Sequence, residues 1–181
     1  MIRRSFKRKQ KDIIIPFCEG ETEILLVSFL KNEYSNKKID FKKPVDLKGV
    51  ANLTDFKRTY NKQIKAQGLK PKRDFLSVKF LFIIDNDLED SEKIKLFLTE
   101  KGHLIQQFEP NPEGLILDIV GKNQGQNLRT HDFRKKCKNN FKIHFGCEAH
   151  HIKEKKLKEI FNSENVFENK LPVLHNLFKG P

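Results

Sequence analysis

The chain contains 181 residues, of which 37% are hydrophobic and 33% charged, and it carries a formal net charge of +12. This length and apolar content allow one buried core and exclude a globally disordered chain. The cationic excess predicts a polyanionic partner, most commonly nucleic acid, although a lysine-rich bias of the source genome would also produce it.

The first element is a basic arm at residues 1–11, which contains no acidic residue. A second acid-free basic stretch lies at residues 134–142. A uniform bias does not remove acids from two separate stretches, so we expect both to contact nucleic acid. The candidate contacts are Arg3, Arg4, Lys7, Arg8, Lys9, Arg134, Lys135 and Lys136.

Strand and helix patterns alternate after the arm. Residues 13–17 form a β-branched apolar run that is typical of a buried strand, and a helical pattern begins at Glu21. A weaker strand is predicted at residues 45–47. The following helix has apolar residues at helical spacing over residues 53–64 and ends at Gly68.

The second half of this pattern begins with the clearest strand, at residues 78–84. Ser91 is the predicted N-cap of the next helix, and Gly102 is its predicted end. A strand at residues 103–108 and the start of a helix at residues 113–120 follow.

A strand–helix repeat at a spacing of about 30 residues predicts an α/β fold with a mostly parallel sheet. We expect about four strands flanked by helices within residues 12–125. Residues 126–181 are basic and are predicted to form a mainly helical C-terminal extension.

Acidic residues stand at the predicted ends of two buried strands. Glu19 follows the first strand, and Asp85 and Asp87 follow the strand at residues 78–84. If these strands are neighbours, the carboxylates converge, which favours a hard cation such as Mg²⁺ or Mn²⁺ between them. Two simpler readings stay open: Glu19 as an ordinary acid at a helix N-terminus, and residues 85–90 as a capping loop.

Two short motifs carry a family resemblance. Residues 18–23 read Cys-Glu-Gly-Glu-Thr-Glu, and residues 82–87 read Phe-Ile-Ile-Asp-Asn-Asp. In this order and spacing they resemble the two acidic motifs of TOPRIM domains, and particularly those of bacterial OLD-family and RloB-like proteins. The resemblance covers residues 12–120.

The resemblance implies a four-stranded parallel core and a metal-binding or general-base role for Glu19. It implies divalent-metal binding by Asp85 and Asp87, with Glu23 joining them as the second glutamate of the OLD-like motif. The spacing agrees, because Glu23 lies four residues after Glu19 on the first turn of the predicted helix.

Three further residues surround this predicted site. Glu21 points elsewhere on the same turn and is a weaker candidate. Gly20 allows the backbone to turn sharply and to approach a phosphate closely. Glu113 is a candidate outer metal ligand, because related proteins place an acid near an Asn-Pro motif at that point.

The predicted function is therefore a divalent-metal-dependent nuclease that uses Mg²⁺ or Mn²⁺, and the resemblance implies a role in phage defence. The chain contains no Walker motif, so an ATPase partner would be a separate protein. OLD-like nucleases also use a late lysine, which the sequence does not single out. Two alternatives stay open: a TOPRIM-like RNA-processing ribonuclease and a catalytically silent nucleic-acid- or partner-binding module.

The remaining thiols and imidazoles give weaker signals. The three cysteines form no CxxC pair, which excludes a zinc ribbon and favours a reducing, cytoplasmic location. No apolar run is long enough to span a membrane, so we expect no membrane contact. The spacing of His144, Cys147, His150 and His151 matches no metal-binding pattern, and we predict surface or structural roles for them.

Overall fold

A computed structural model describes residues 12–34, 39–50, 52–68, 78–85, 90–122, 131–162 and 164–179, with the side chains of 131–134 and 164–165 excepted. Within these ranges the strands are β1 (Asp12–Cys18), β2 (Ile39–Phe41), β3 (Val45–Asp46), β4 (Val78–Asp85) and β5 (Leu104–Phe108). The helices are α1 (Glu21–Tyr34), α2 (Leu53–Ala66), α3 (Ser91–Glu100), α4 (Pro112–Ile119), α5 (His131–Phe145), α6 (Glu154–Ile160), α7 (Glu164–Lys170) and α8 (Pro172–Lys179), with a 3₁₀ turn at Ala149–His151.

The strands form one sheet in the order β2-β1-β4-β5, and β3 also pairs with β1. Every pairing among the described strands is parallel. The predicted α/β class, with a mostly parallel sheet flanked by helices, is confirmed. The sheet has five strands rather than about four, because β2 and β3 together occupy a single position beside β1.

Pro16 explains why this edge position is divided. The carbonyls of Ile14 and Cys18 accept hydrogen bonds from Lys42 N–H and Leu47 N–H, both over 2.8 Å, so these residues of β1 direct their backbone groups toward β2 and β3. Pro16 lies between them and has no N–H to donate. Pairing therefore stops where β2 ends and resumes where β3 begins.

Helices cover both faces of the sheet, and phenylalanine, leucine and isoleucine dominate the core as predicted. On one face, α2 and α3 contribute Phe56, Tyr60, Ile94 and Leu98 to a cluster with Phe82 of β4. The other face is covered by α1, α4 and the C-terminal helices α5 to α8. One hydrophobic cluster thus joins residues from both sides of the predicted boundary at residue 125.

Some local predictions were wrong or incomplete. Ser91 is the first residue of α3, and Asp90 occupies the N-cap position. The Asp90 carboxylate accepts a hydrogen bond from Leu53 N–H over 3.0 Å and pairs with Lys93, so it serves α2 instead of capping α3. The sequence patterns missed β2, and they gave no boundaries for the helices α5 to α8 of the predicted C-terminal extension. The arm at residues 1–11 lies outside the described residues.

No helix in the described ranges is both long enough and apolar enough to cross a bilayer.

Candidate metal centre at the strand ends

Two of the predicted acids come together where the central strands end. β1 and β4 are parallel neighbours, and Cys18 pairs with Ile83. Glu19 and Asp85 therefore leave the sheet at the same edge, and the backbone N–H of Asp85 donates a hydrogen bond to Glu19 Oε2 over 3.5 Å. Asp87, the third predicted ligand, lies outside the described residues.

Glu23 folds back over the turn that connects β1 to α1. It belongs to the first turn of α1, and only 5% of its surface is exposed. A Cβ atom on Gly20 would lie 3.1 Å from Glu23 Oε2, so a larger residue at position 20 would crowd this carboxylate. Glu21, two residues earlier in the chain, is exposed. The two glutamates therefore occupy different positions on the turn, as their spacing predicted.

Glu113 reaches the same region from the first turn of α4 and is also buried. Asn111 caps this helix, because its Oδ1 accepts a hydrogen bond from Gly114 N–H over 2.8 Å. A Cβ atom on Gly114 would lie 2.6 Å from two ring carbons of Pro110. Glycine at position 114 therefore allows Pro110 to approach the first turn of α4, which carries Glu113.

These acids line a cleft of about 480 Å³. We call one set of its lining residues the strand-end wall: Glu19, Glu23, Asp85 and Glu113. A second set comes from α5 and the 3₁₀ turn, and we call it the C-terminal wall: Lys138, Lys142, Glu148 and His150. The cleft thus combines four acids at the strand ends with cationic and imidazole groups from the C-terminal helices.

The acids of the strand-end wall interact with one another. Burial raises the pKa of Glu23 above its ordinary value, and the negative charge of Glu113 raises it further. Hydrogen bonds from its own backbone N–H and from the Asp85 carboxyl, together with the charge of Lys138, oppose this increase. Glu23 is therefore an acid that holds its proton more tightly than an exposed glutamate does.

Cys18, the last residue of β1, is fully buried next to Glu19 in the chain and is not suited to act as a nucleophile. Burial raises the pKa of its thiol well above the ordinary value, and the neighbouring charges of Glu23 and Asp46 add to the effect. The thiolate is the reactive form of cysteine, so a thiol that stays protonated is inert. The chemistry of the cleft thus depends on its oxygen and nitrogen groups.

The C-terminal wall contains residues that the sequence patterns did not assign to the site. Lys138 and Lys142 are four residues apart on α5, on either side of the buried Phe141. Their i, i+4 spacing within a basic helix was the available signal, but the docking of α5 beside the acids is a tertiary property. His150 also lines the cleft, whereas His144 is exposed elsewhere on α5.

The predicted nucleic-acid contacts have mixed outcomes. Gly20 lines the cleft, and Lys135 and Lys136 are exposed on α5. Arg134 belongs to α5, but its side chain lies outside the described part of the molecule. The remaining predicted contacts also lie outside it: Arg3, Arg4, Lys7, Arg8 and Lys9.

The strand-end wall suits a hard divalent cation. All of its donors are carboxylate oxygens, which Mg²⁺ and Mn²⁺ prefer over the nitrogen and sulfur ligands that zinc favours. Burial is the main cause of the raised pKa of Glu23, and the neighbouring negative charge of Glu113 adds to it. A cation among them would relieve this repulsion.

Comparison of the chain with protein-family models, with curated proteins and with solved structures gave no match. The contacts and charges of the cleft are therefore the basis for assigning its chemistry.

Proposed function

We propose that this chain is a divalent-metal-dependent nuclease of the TOPRIM type, which hydrolyses phosphodiester bonds at the cleft. The observation that carries this proposal is the convergence of four carboxylates at the ends of β1, β4 and β5. Lysines of the C-terminal wall line the same cleft. Clustered acids inside a protein of net charge +12 are unexpected unless they bind cations.

In this proposal the strand-end wall holds Mg²⁺ or Mn²⁺ through Glu19, Asp85 and the neighbouring acids. A divalent ion held by these residues would neutralise charge on the phosphate oxygens and would make a bound water more acidic. The order of the motifs, with Glu19 and Glu23 after β1 and Asp85 at the end of β4, supports the TOPRIM assignment.

The side chains of the cleft divide the remaining tasks. Lys138 and Lys142 attract the phosphate backbone and offset its charge. Lys138 already interacts with Glu23, and it is the best candidate for the late lysine that the resemblance implies. Glu23, with its raised pKa, is suited to take a proton from the attacking water. The bond from phosphorus to the leaving sugar oxygen then breaks, and that oxygen takes a proton from solvent.

The test is a cleavage survey with three substrates: supercoiled plasmid, single-stranded DNA and structured RNA. Each is incubated with the full chain in Mg²⁺, Mn²⁺ or EDTA. We expect cleavage that EDTA abolishes and that Glu19→Gln removes. Glu92→Gln, an exposed acid on α3 outside the cleft, is the matched control and should cleave normally.

The same survey separates the alternatives. Cleavage restricted to structured RNA would favour the RNA-processing ribonuclease. Tight binding of nucleic acid without cleavage in either metal would contradict the nuclease proposal and would favour a silent binding module. Equal cleavage by wild type and Glu19→Gln would place the active site elsewhere.

A further inference from the structure

A second cluster of metal-binding side chains includes two residues of the C-terminal wall of the cleft. Glu148, His150 and His151 each offer a ligand atom, and these atoms all lie within 4.8 Å of one another. The cluster belongs to the 3₁₀ turn and the residue before it. It shares no side chain with the strand-end wall.

The backbone holds this cluster in place. Ala149, the first residue of the turn, is buried in the hydrophobic core and anchors the turn. The N–H of His151 donates a hydrogen bond to the Glu148 carbonyl over 2.9 Å, which closes the turn. The tight 3₁₀ geometry brings the His150 and His151 rings to a centroid distance of 4.0 Å, although the residues are adjacent in sequence. Adjacent histidines that usually diverge are thus kept together.

We propose that Glu148, His150 and His151 form a binding site for a transition-metal ion of the zinc class. Two imidazoles and one carboxylate match the preference of Zn²⁺ and Co²⁺, whereas Mg²⁺ favours oxygen ligands alone. Bonds of about 2.0–2.2 Å in a tetrahedron place the ligand atoms about 3.3–3.5 Å apart. Glu148 Oε2 and His150 Nε2 are 3.8 Å apart, so rotation of exposed side chains completes the geometry.

Glu21 lies next to His150 and is the candidate for a fourth ligand. Its Oε2 lies 3.8 Å from His150 Nε2, and it comes from the first turn of α1. An ion held by these four groups would join the 3₁₀ turn to α1 beside the cleft. This assignment does not depend on the nuclease proposal, because it uses other side chains and another class of ion.

One existing interaction competes with the ion. Lys142 Nζ lies 3.7 Å from Glu148 Oε1, and both side chains are largely exposed. An exposed ion pair of this kind contributes little to stability, so a bound divalent ion would displace it readily. The exposure of His151 and Glu148 also indicates an exchangeable site rather than a permanently buried structural one.

The test measures Zn²⁺ binding by calorimetry and Co²⁺ binding by visible absorption, in excess Mg²⁺. The full chain should bind one ion per molecule, with the intense absorption of tetrahedral Co²⁺. His150→Ala and His151→Ala should each weaken binding by at least about 100-fold, since even the loss of an outer-shell partner weakens metal binding by 10–100-fold. His144→Ala is the matched control, because this exposed histidine lies outside the cluster. Far-UV circular dichroism checks that each variant is folded.

Two other variants make the outcome decisive. Cys147→Ser and Asp85→Asn should both retain the ion, because neither residue belongs to the cluster. Loss of binding in Asp85→Asn, with retention in His150→Ala, would place the ion in the strand-end wall and overturn the proposal. Unchanged affinity in both histidine variants would overturn it as well. Because Asp85→Asn also disables the proposed nuclease, failure of the two proposals is distinguishable.

Discussion

The two walls of the cleft are built in different ways. The strand-end wall comes from buried or half-buried acids fixed by strand ends and the first turns of α1 and α4. The C-terminal wall carries long, mostly exposed side chains from α5 and the 3₁₀ turn. Catalysis requires groups in fixed positions, whereas attraction of a polyanion tolerates movement. We therefore expect the strand-end wall to determine the rate and the C-terminal wall to determine attraction.

The largest expected effect comes from Asp85→Asn, which removes one charge from the strand-end wall without changing its size. If a metal contributes several kcal/mol to the transition state, cleavage should fall by about 1000-fold or more. Affinity for nucleic acid should be unchanged or slightly higher, because a repelling charge is lost. Single-turnover cleavage and a fluorescence binding assay measure the two effects. Asp40→Asn on β2 is the control. If Asp85→Asn reduced binding and cleavage in parallel, the strand-end wall would not act on the rate alone.

An intermediate effect is expected for the C-terminal wall. The double variant Lys138→Gln with Lys142→Gln removes two cations that line the cleft. An exposed charge contact contributes up to about 1 kcal/mol, so the loss of two should decrease cleavage and affinity together by up to about 30-fold. The exposed pair Lys62→Gln with Lys65→Gln, on α2, is the matched control. A fall in cleavage with no change in affinity would show that these lysines act only on the reaction.

A smaller effect is expected on stability. Because the folded pKa of Glu23 is raised above 4.5, the wild type without metal loses stability as the pH rises from 4.5 through the folded pKa. Glu23→Gln does not ionise, so it should be more stable at neutral pH, by on the order of 1 kcal/mol. The difference should disappear below pH 4.5. Urea unfolding at several pH values measures it, with Glu92→Gln as control.

Added Mg²⁺ gives the same experiment a second result. The ion should stabilise the wild type and should stabilise Glu23→Gln much less, because binding to the native state raises its stability. If Glu23→Gln were less stable than the wild type at neutral pH without metal, ionised Glu23 would not destabilise the folded protein.

The smallest effect distinguishes two neighbouring lysines. On a helix with 100° per residue, Lys135 lies within about 60° of Lys138 and Lys142, whereas Lys136 lies about 100° away from Lys135. Lys135→Gln should reduce the slope of log affinity against log salt by about 0.9, and Lys136→Gln should change it less. Binding titrations at several salt concentrations measure both slopes. Equal changes in the two slopes would show that the nucleic acid does not bind along the helix face that carries Lys135, Lys138 and Lys142.

The sequence predicted the strand-end wall better than the C-terminal wall for a physical reason. Buried parallel strands have continuous apolar runs, and their carboxyl ends meet at one sheet edge. Once residues 13–17 and 78–84 are recognised as strands, the proximity of Glu19 and Asp85 requires only that the two strands be neighbours. The position of Glu113 was harder to predict, because it depends on the contact of Gly114 with Pro110.

The C-terminal wall depends on contacts between residues far apart in the chain. Lys138 reaches the cleft because Phe141 packs into the same core cluster as Leu26 and Leu117. No local pattern specifies which turn of α5 faces which strand end. The proximity of His150 and Glu21 likewise results from the docking of the 3₁₀ turn against α1. The spacing of these residues in the sequence therefore could not predict it.

Pro16 has a consequence beyond the sheet itself. An edge strand with a long run of open N–H and C=O groups is a template on which a strand of another molecule can add. Beside β1, the described residues form a three-residue and a two-residue strand segment with a break between them. Few consecutive backbone groups are available there, so another copy gains little by pairing along this edge. The missing N–H of one proline thus makes this edge of the sheet a poor template for strand addition.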